Sequence, residues 1–174
     1  MGILLDVVPN HMGINDPGNL WWLDVLENGE GSYFADFFDI DWDPAASALK
    51  DTVLLPFLGE PFGDVLEKGE LRVVYAEQRL QLSYGQRRFP LAPPTWVGVL
   101  VFAAQALEEA AGSDPTVFAE WTELQSIITQ LRNLPPGAHG DPASMEERYR
   151  EQSIVRRRLH DLLTASSAVR EALE

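Results

Sequence analysis

Asp6, Asn10 and His11 bracket the step Val7-Val8-Pro9, and these three side chains at one strand end could hydrogen-bond a polar ligand. A carboxylate accepts from an O–H, while a neutral imidazole donates from one nitrogen and accepts at the other. Gly2 to Val8 is a continuous apolar run apart from Asp6, as expected of a strand buried on both faces. Pro9 has no N–H for a ladder, so the strand ends there and leaves Asn10 and His11 on the loop beyond it. Without further context the same residues fit an ordinary buried strand closed by a Pro-Asn turn, with His11 as its cap.

Metal chemistry is not expected. Asp39, Asp41 and Asp43 alternate as in a calcium loop, but Pro44 and Lys50 stand where such a loop needs Gly and Glu. His139 and His160 have no ligand spacing to each other or to His11, and the chain has no cysteine for a thiolate site or a disulfide. Nor is there a glycine-rich loop to cradle phosphate, so no cofactor is expected.

The elements that must position these groups fall into two halves. Asp16-Pro17 has the form of a helix start, followed by Leu20, Trp21, Leu23 and Leu26, with Asn28-Gly29 as the stop. Residues 30–60, rich in aromatic, Asp, Pro and Gly residues, read as ordered loop. Leu71, Val73, Tyr75 and then Leu80, Leu82, Tyr84 alternate with polar neighbours around Glu77-Gln78, which predicts a β-hairpin. Three helices are expected afterwards. One runs from about Trp96 to Ala111 before Gly112, and a second starts at Asp114-Pro115 with Phe118, Trp121, Leu124, Ile128 and Leu131 on its stripe. The third opens with Ser144 and Glu147 in capping-box spacing and carries Met145, Tyr149, Val155, Leu159 and Leu162, with a short last helix expected after it.

The chain has 174 residues and 45% apolar content, enough for one domain with a real core. Its net charge of −14 lies entirely in the first 145 residues, because six Arg balance six acids after them. That acidity argues against nucleic-acid and membrane partners. The run Arg156-Arg157-Arg158 between Glu151 and Asp161 reads as a solvated helix face. No basic region precedes an apolar N-terminal segment, and the run from Trp96 to Ala104 is too short to span a bilayer, so a cytoplasmic protein is expected.

Asp6-Val7-Val8-Pro9-Asn10-His11-Met12 resembles the first sequence signature of the α-amylase superfamily, on the third strand of its (β/α)8 barrel. Four further blocks resemble the maltooligosyltrehalose synthase branch: Trp21-Trp22-x-Asp24-Val25-Leu26-Glu27-Asn28-Gly29, Phe37-Phe38-Asp39-Ile40-Asp41-Trp42, Leu54-Leu55-Pro56-Phe57-Leu58-Gly59 through Leu66, and Arg88-Phe89-Pro90-Leu91. The resemblance covers residues 2–94 in the order of that family, and the helical half shares only its pattern.

The resemblance implies an α+β fold, mainly helical in the C-terminal half, made of one barrel strand plus the inserted subdomain of an incomplete (β/α)8 barrel. Residues 1–15 would be the third barrel strand and its loop, 16–94 the aromatic insertion with the hairpin, and 95–174 a helical subdomain. A complete barrel takes about 250 residues, so an internal segment is expected. The implied substrate is a maltooligosaccharide, whose reducing-end α-1,4 bond the family converts to an α,α-1,1 bond by intramolecular transglycosylation. His11 would bind the sugar before the cleaved bond, Asp6 would stand behind it, and Asn10 would order the loop. Trp21, Trp22, Tyr33 and Trp42 would wall the reducing-end sugars, with Asp39 and Asp41 accepting from hydroxyls. For each aromatic, a place in the insertion's own core is the competing reading.

The family's nucleophile and acid/base stand about 5–5.5 Å apart on later strands. No Arg-x-Asp follows a β-branched run here, and Arg158-Leu159-His160-Asp161 has the wrong spacing. Catalysis by this chain alone is not expected, and the alternative reading is a stand-alone glucan-binding or helical interaction module. A buried-type strand over residues 2–8 without partner strands should recruit one, so the isolated chain should self-associate. A monodisperse monomer in sedimentation at high concentration would contradict that.

Overall fold

The computed structural model describes residues 2, 13–14, 18–46, 50–136 and 141–173 of the chain. The Asp6–His11 segment, and with it the expected barrel strand, lies outside them. The described part is α+β. Its elements are α1 (Leu20–Asn28), α2 (Phe62–Glu67), strands β1 (Leu71–Ala76), β2 (Arg79–Tyr84) and β3 (Arg87–Pro90), then α3 (Pro93–Ala111), α4 (Pro115–Arg132), α5 (Pro142–Ala165) and α6 (Ser167–Leu173).

Capping chemistry sets most helix starts. Asn19 caps α1: its Oδ1 accepts from the Trp22 N–H at 3.1 Å, and its Nδ2 donates to the Gly13 carbonyl, while the expected start at Asp16-Pro17 lies outside the described residues. Gly29 ends that helix at φ 62°, a left-handed conformation that suits glycine. α3 starts at Pro93, earlier than Trp96, because Pro93 and Pro94 occupy first-turn positions whose N–H groups have no helical partner. Asp114 caps α4 as expected. Asp141, rather than Ser144, caps α5 through the Ala143 and Ser144 N–H groups, with Pro142 in the first turn.

The sheet is antiparallel in the order β1-β2-β3. Ala76 pairs with Arg79 across Glu77 and Gln78, whose φ values of 53° and 58° are those a two-residue type I′ turn demands. Neither is glycine, so the hairpin holds two side chains in a sparsely populated region. β3 was not expected. Tyr84 pairs with Arg87 across Gly85-Gln86, and four residues with two arginines give little alternation to read.

The main core lies within α3–α6 and extends to β2. Trp96, Leu100, Leu124, Ile128, Leu159 and Leu80 are at most 1% exposed in one contiguous cluster. On α4 the buried stripe is Leu124, Ile127, Ile128 and Leu131, whereas Phe118 at its start is 54% exposed. Trp121 is half-buried and donates its Nε1–H to the Ala104 carbonyl at 3.1 Å. Ser166 joins α5 to α6: its Oγ accepts from the Val169 N–H and donates to Glu120. Among the described residues no helix is long and apolar enough to cross a membrane.

Trp96 is fully buried and its Nε1–H donates to the Leu91 carbonyl at 2.8 Å, fastening α3 to the chain leaving β3. Trp96→Ala should cost about 3–5 kcal/mol in urea unfolding. A loss below about 1 kcal/mol would place the core elsewhere.

Candidate functional site

α1 carries two faces that lead to two surfaces. Trp21 is 39% exposed and stacks on Phe34 with centroids 5.1 Å apart and planes 10° apart. Phe37, 63% exposed, leans on the same indole at 4.8 Å. Trp22, the next residue, turns inward, buried against Phe38 at 5.0 Å. Two consecutive helical residues point about 100° apart, and this separates an outer aromatic platform from an inner wedge. Tyr33 is 48% exposed and stacks on Tyr149 of α5 at 4.8 Å.

A third face of α1 is polar and meets α5. Asp24, Glu27 and Asn28 lie at helical spacing opposite Tyr149, Gln152 and Arg156. The Tyr149 and Ser32 hydroxyls both donate to Asp24 Oδ2 at 2.5 Å, and Asn28 Nδ2 donates to its other oxygen at 3.1 Å. Gln152 Nε2 donates to Asn28 Oδ1 at 2.8 Å. Glu27, 1% exposed, accepts from Arg156 Nη2 at 2.6 Å, and Arg79 Nη1 of β2 stands 3.3 Å from its second oxygen as an ion pair. Arg148 Nη1 donates to the carbonyls of Pro135 and Pro136, holding the segment ahead of α5.

The basic run on α5 is therefore not a solvated face. Arg156 is committed to Glu27, and Arg158 grips both oxygens of Glu123 while also donating to Gln130 and Ser126. Arg157 alone of the three is exposed. Nothing in the local sequence marks this, because the partners lie 35 and 129 residues away.

The residues singled out in the sequence divide three ways. Asp6, Asn10 and His11 lie outside the described residues. Trp21 and Tyr33 are on the outer surface and Trp22 is inside. Asp39 and Asp41 are exposed and Trp42 is half-buried on the following loop, where Asp41 Oδ1 accepts from the Asp43 N–H at 3.2 Å. Among the described residues no group of three or more His, Asp or Glu is placed to hold a metal ion. Asp24, Glu27, Asn28, Gln152 and Arg156 were not predicted as a unit. The signal available was the polar triplet Asp24/Glu27/Asn28 on one face of a helix whose other faces are apolar.

Two proteins from different strains of Mycobacterium tuberculosis, each named "Putative maltooligosyl trehalose synthase", are 39% identical to this chain over 85 residues. The match suggests that family. It covers 44% of this chain, and the chain spans 11% of the length of these relatives. No family model matches, and no solved structure does.

Two phenols tie stability to alkaline pH. Tyr75 is pushed up to about 12 by burial and then by the nearby Asp161 carboxylate. Tyr149 is raised by burial, then by its hydrogen bond to Asp24 and the charge there. Folding therefore favours the neutral phenols. Their contribution is complete below the ordinary tyrosine value of 10; that of Tyr75 is lost as pH rises through about 12, and that of Tyr149 as pH rises through its own raised value. The urea midpoint should fall over that window, and Tyr149→Phe should flatten the fall while costing about 1.5–3 kcal/mol at neutral pH. An unaltered pH slope in the variant would remove Tyr149 from the effect.

Proposed function

We propose that this chain is a segment of an enzyme of the maltooligosyltrehalose synthase kind, acting in trehalose formation, and that its share is to hold the glucan. In this reading the reacting carboxylates come from other parts of the enzyme. The carrying observation is that Trp21 and Phe37 remain exposed, backed by the half-buried Phe34, beside a well-formed core. A sugar's C–H face stacks on such a ring, and an indole backed by a parallel phenyl cannot tilt away. The partial match to the two mycobacterial relatives supports the same reading.

The substrate would be a maltooligosaccharide whose reducing-end glucose is re-bonded from α-1,4 to α,α-1,1. Trp21 and Tyr33 provide walls, Asp39 and Asp41 offer acceptors to hydroxyls, and Trp42 extends the aromatic surface. Asp6, Asn10 and His11 would bind the sugar next to the broken bond, by their resemblance to the superfamily signature. A closed aromatic wall would favour transfer to the sugar's own hydroxyl over transfer to water. A second reading, a glucan-binding module without a role in turnover, draws on the same exposed rings and on the absence of an Arg-x-Asp signature.

Trp21→Ala should leave the melting temperature within about 2 °C and weaken maltopentaose binding about tenfold, by titration of the remaining indole fluorescence. Trp22→Ala should instead lower stability by about 3–5 kcal/mol. Equal affinity for maltopentaose in the wild type and Trp21→Ala would defeat the platform.

A further inference from the structure

We propose that the cavity between α1 and the sheet binds a small hydroxylated anion of the monosaccharide phosphate class, at a site separate from the aromatic platform. The cavity has a volume of about 220 Å³ and is floored by Trp22, Leu23, Leu26 and Phe89. That is below the roughly 300–1,000 Å³ of sites for drug-sized ligands, so it fits one ring and not an oligosaccharide.

Its polar groups ask for two kinds of partner. Gln81 of β2 lines the cavity, is 7% exposed, and its Oε1 has no hydrogen-bond partner among the described residues. Its amide nitrogen reaches only the Ala76 carbonyl, at 3.4 Å. Buried acceptors are rarely left unpaired, and a ligand O–H would complete this one. At the rim stand Arg87 and Arg88, both exposed and without an ion pair among the described residues. Arg79 also lines the cavity and pairs with Glu27, a carboxylate it shares with Arg156.

Among the described residues that line the cavity, the two guanidinium groups face one further carboxylate, Glu77. In a chain of net charge −14 such cations would ordinarily find acidic partners. Guanidinium forks suit phosphate oxygens, the indole of Trp22 suits a sugar ring, and Gln81 suits a hydroxyl. Together they specify a ligand that is both hydroxylated and anionic.

The test is calorimetric titration of this chain, at low salt, with glucose 6-phosphate, glucose and inorganic phosphate. Glucose 6-phosphate should bind at least about tenfold more tightly than either of the others. Arg87→Gln with Arg88→Gln should abolish its advantage over glucose at unchanged melting temperature. Gln81→Leu should weaken it about tenfold without loss of stability. Trp21→Ala should leave it unchanged, which separates this site from the glucan platform whichever way the maltopentaose experiment falls. Absence of glucose 6-phosphate binding, equal affinity for glucose or for phosphate alone, or full affinity in the arginine variant would overturn the proposal.

Discussion

Glu27 is the constraint on which the rest depends. Its carboxylate is buried, and it joins three elements at once: α1 that carries it, β2 through Arg79, and α5 through Arg156. Taking three charges from water is costly, and their mutual attraction recovers that cost only in good geometry. Hydrogen bonds among Asp24, Asn28, Ser32, Tyr149 and Gln152 complete the seam. An apolar seam could slide by a helical turn, whereas this one pairs specific donors and acceptors and so fixes the register of α1.

Both candidate surfaces inherit that register. With α1 fixed, Trp21 faces outward onto Phe34 and Phe37, and Trp22 faces inward over the cavity floor. Tyr149 serves twice, donating to Asp24 while its ring backs the exposed Tyr33. The helical half thus acts on the aromatic half as a mount. Its core of Trp96, Leu124, Ile128 and Leu159 sets where α5 presents Tyr149, Gln152 and Arg156.

Local patterns were legible in the sequence and distant pairings were not. The hairpin around Glu77-Gln78, the Asp114-Pro115 start of α4 and the Gly112 and Gly29 stops all rest on neighbours within a few residues, so their chemistry could be read directly. The cap at Asp141 lies three positions before the expected Ser144, because several adjacent residues could serve and only the packed helix selects one. α2 and β3 escaped because six and four residues carry too little periodicity. Arg156 and Arg158 were misread because charge in a run looks solvated until its distant carboxylates are placed. For the site, Trp21, Trp22, Tyr33 and Trp42 were singled out in the sequence while Phe34 and Phe37 were not, and which rings are exposed depended on the seam. The expected Asp6, Asn10 and His11 lie outside the described residues.

The most direct measurement is amide hydrogen exchange, residue by residue, in wild type and Arg156→Ala. If the buried charge seam holds α1, removal of Arg156 leaves Glu27 short of a partner and opens that helix locally. Protection of residues 20–28 should fall at least about tenfold, while amides of α3 and α4 keep theirs. Unchanged protection in α1, or an equal loss across every helix, would contradict the account.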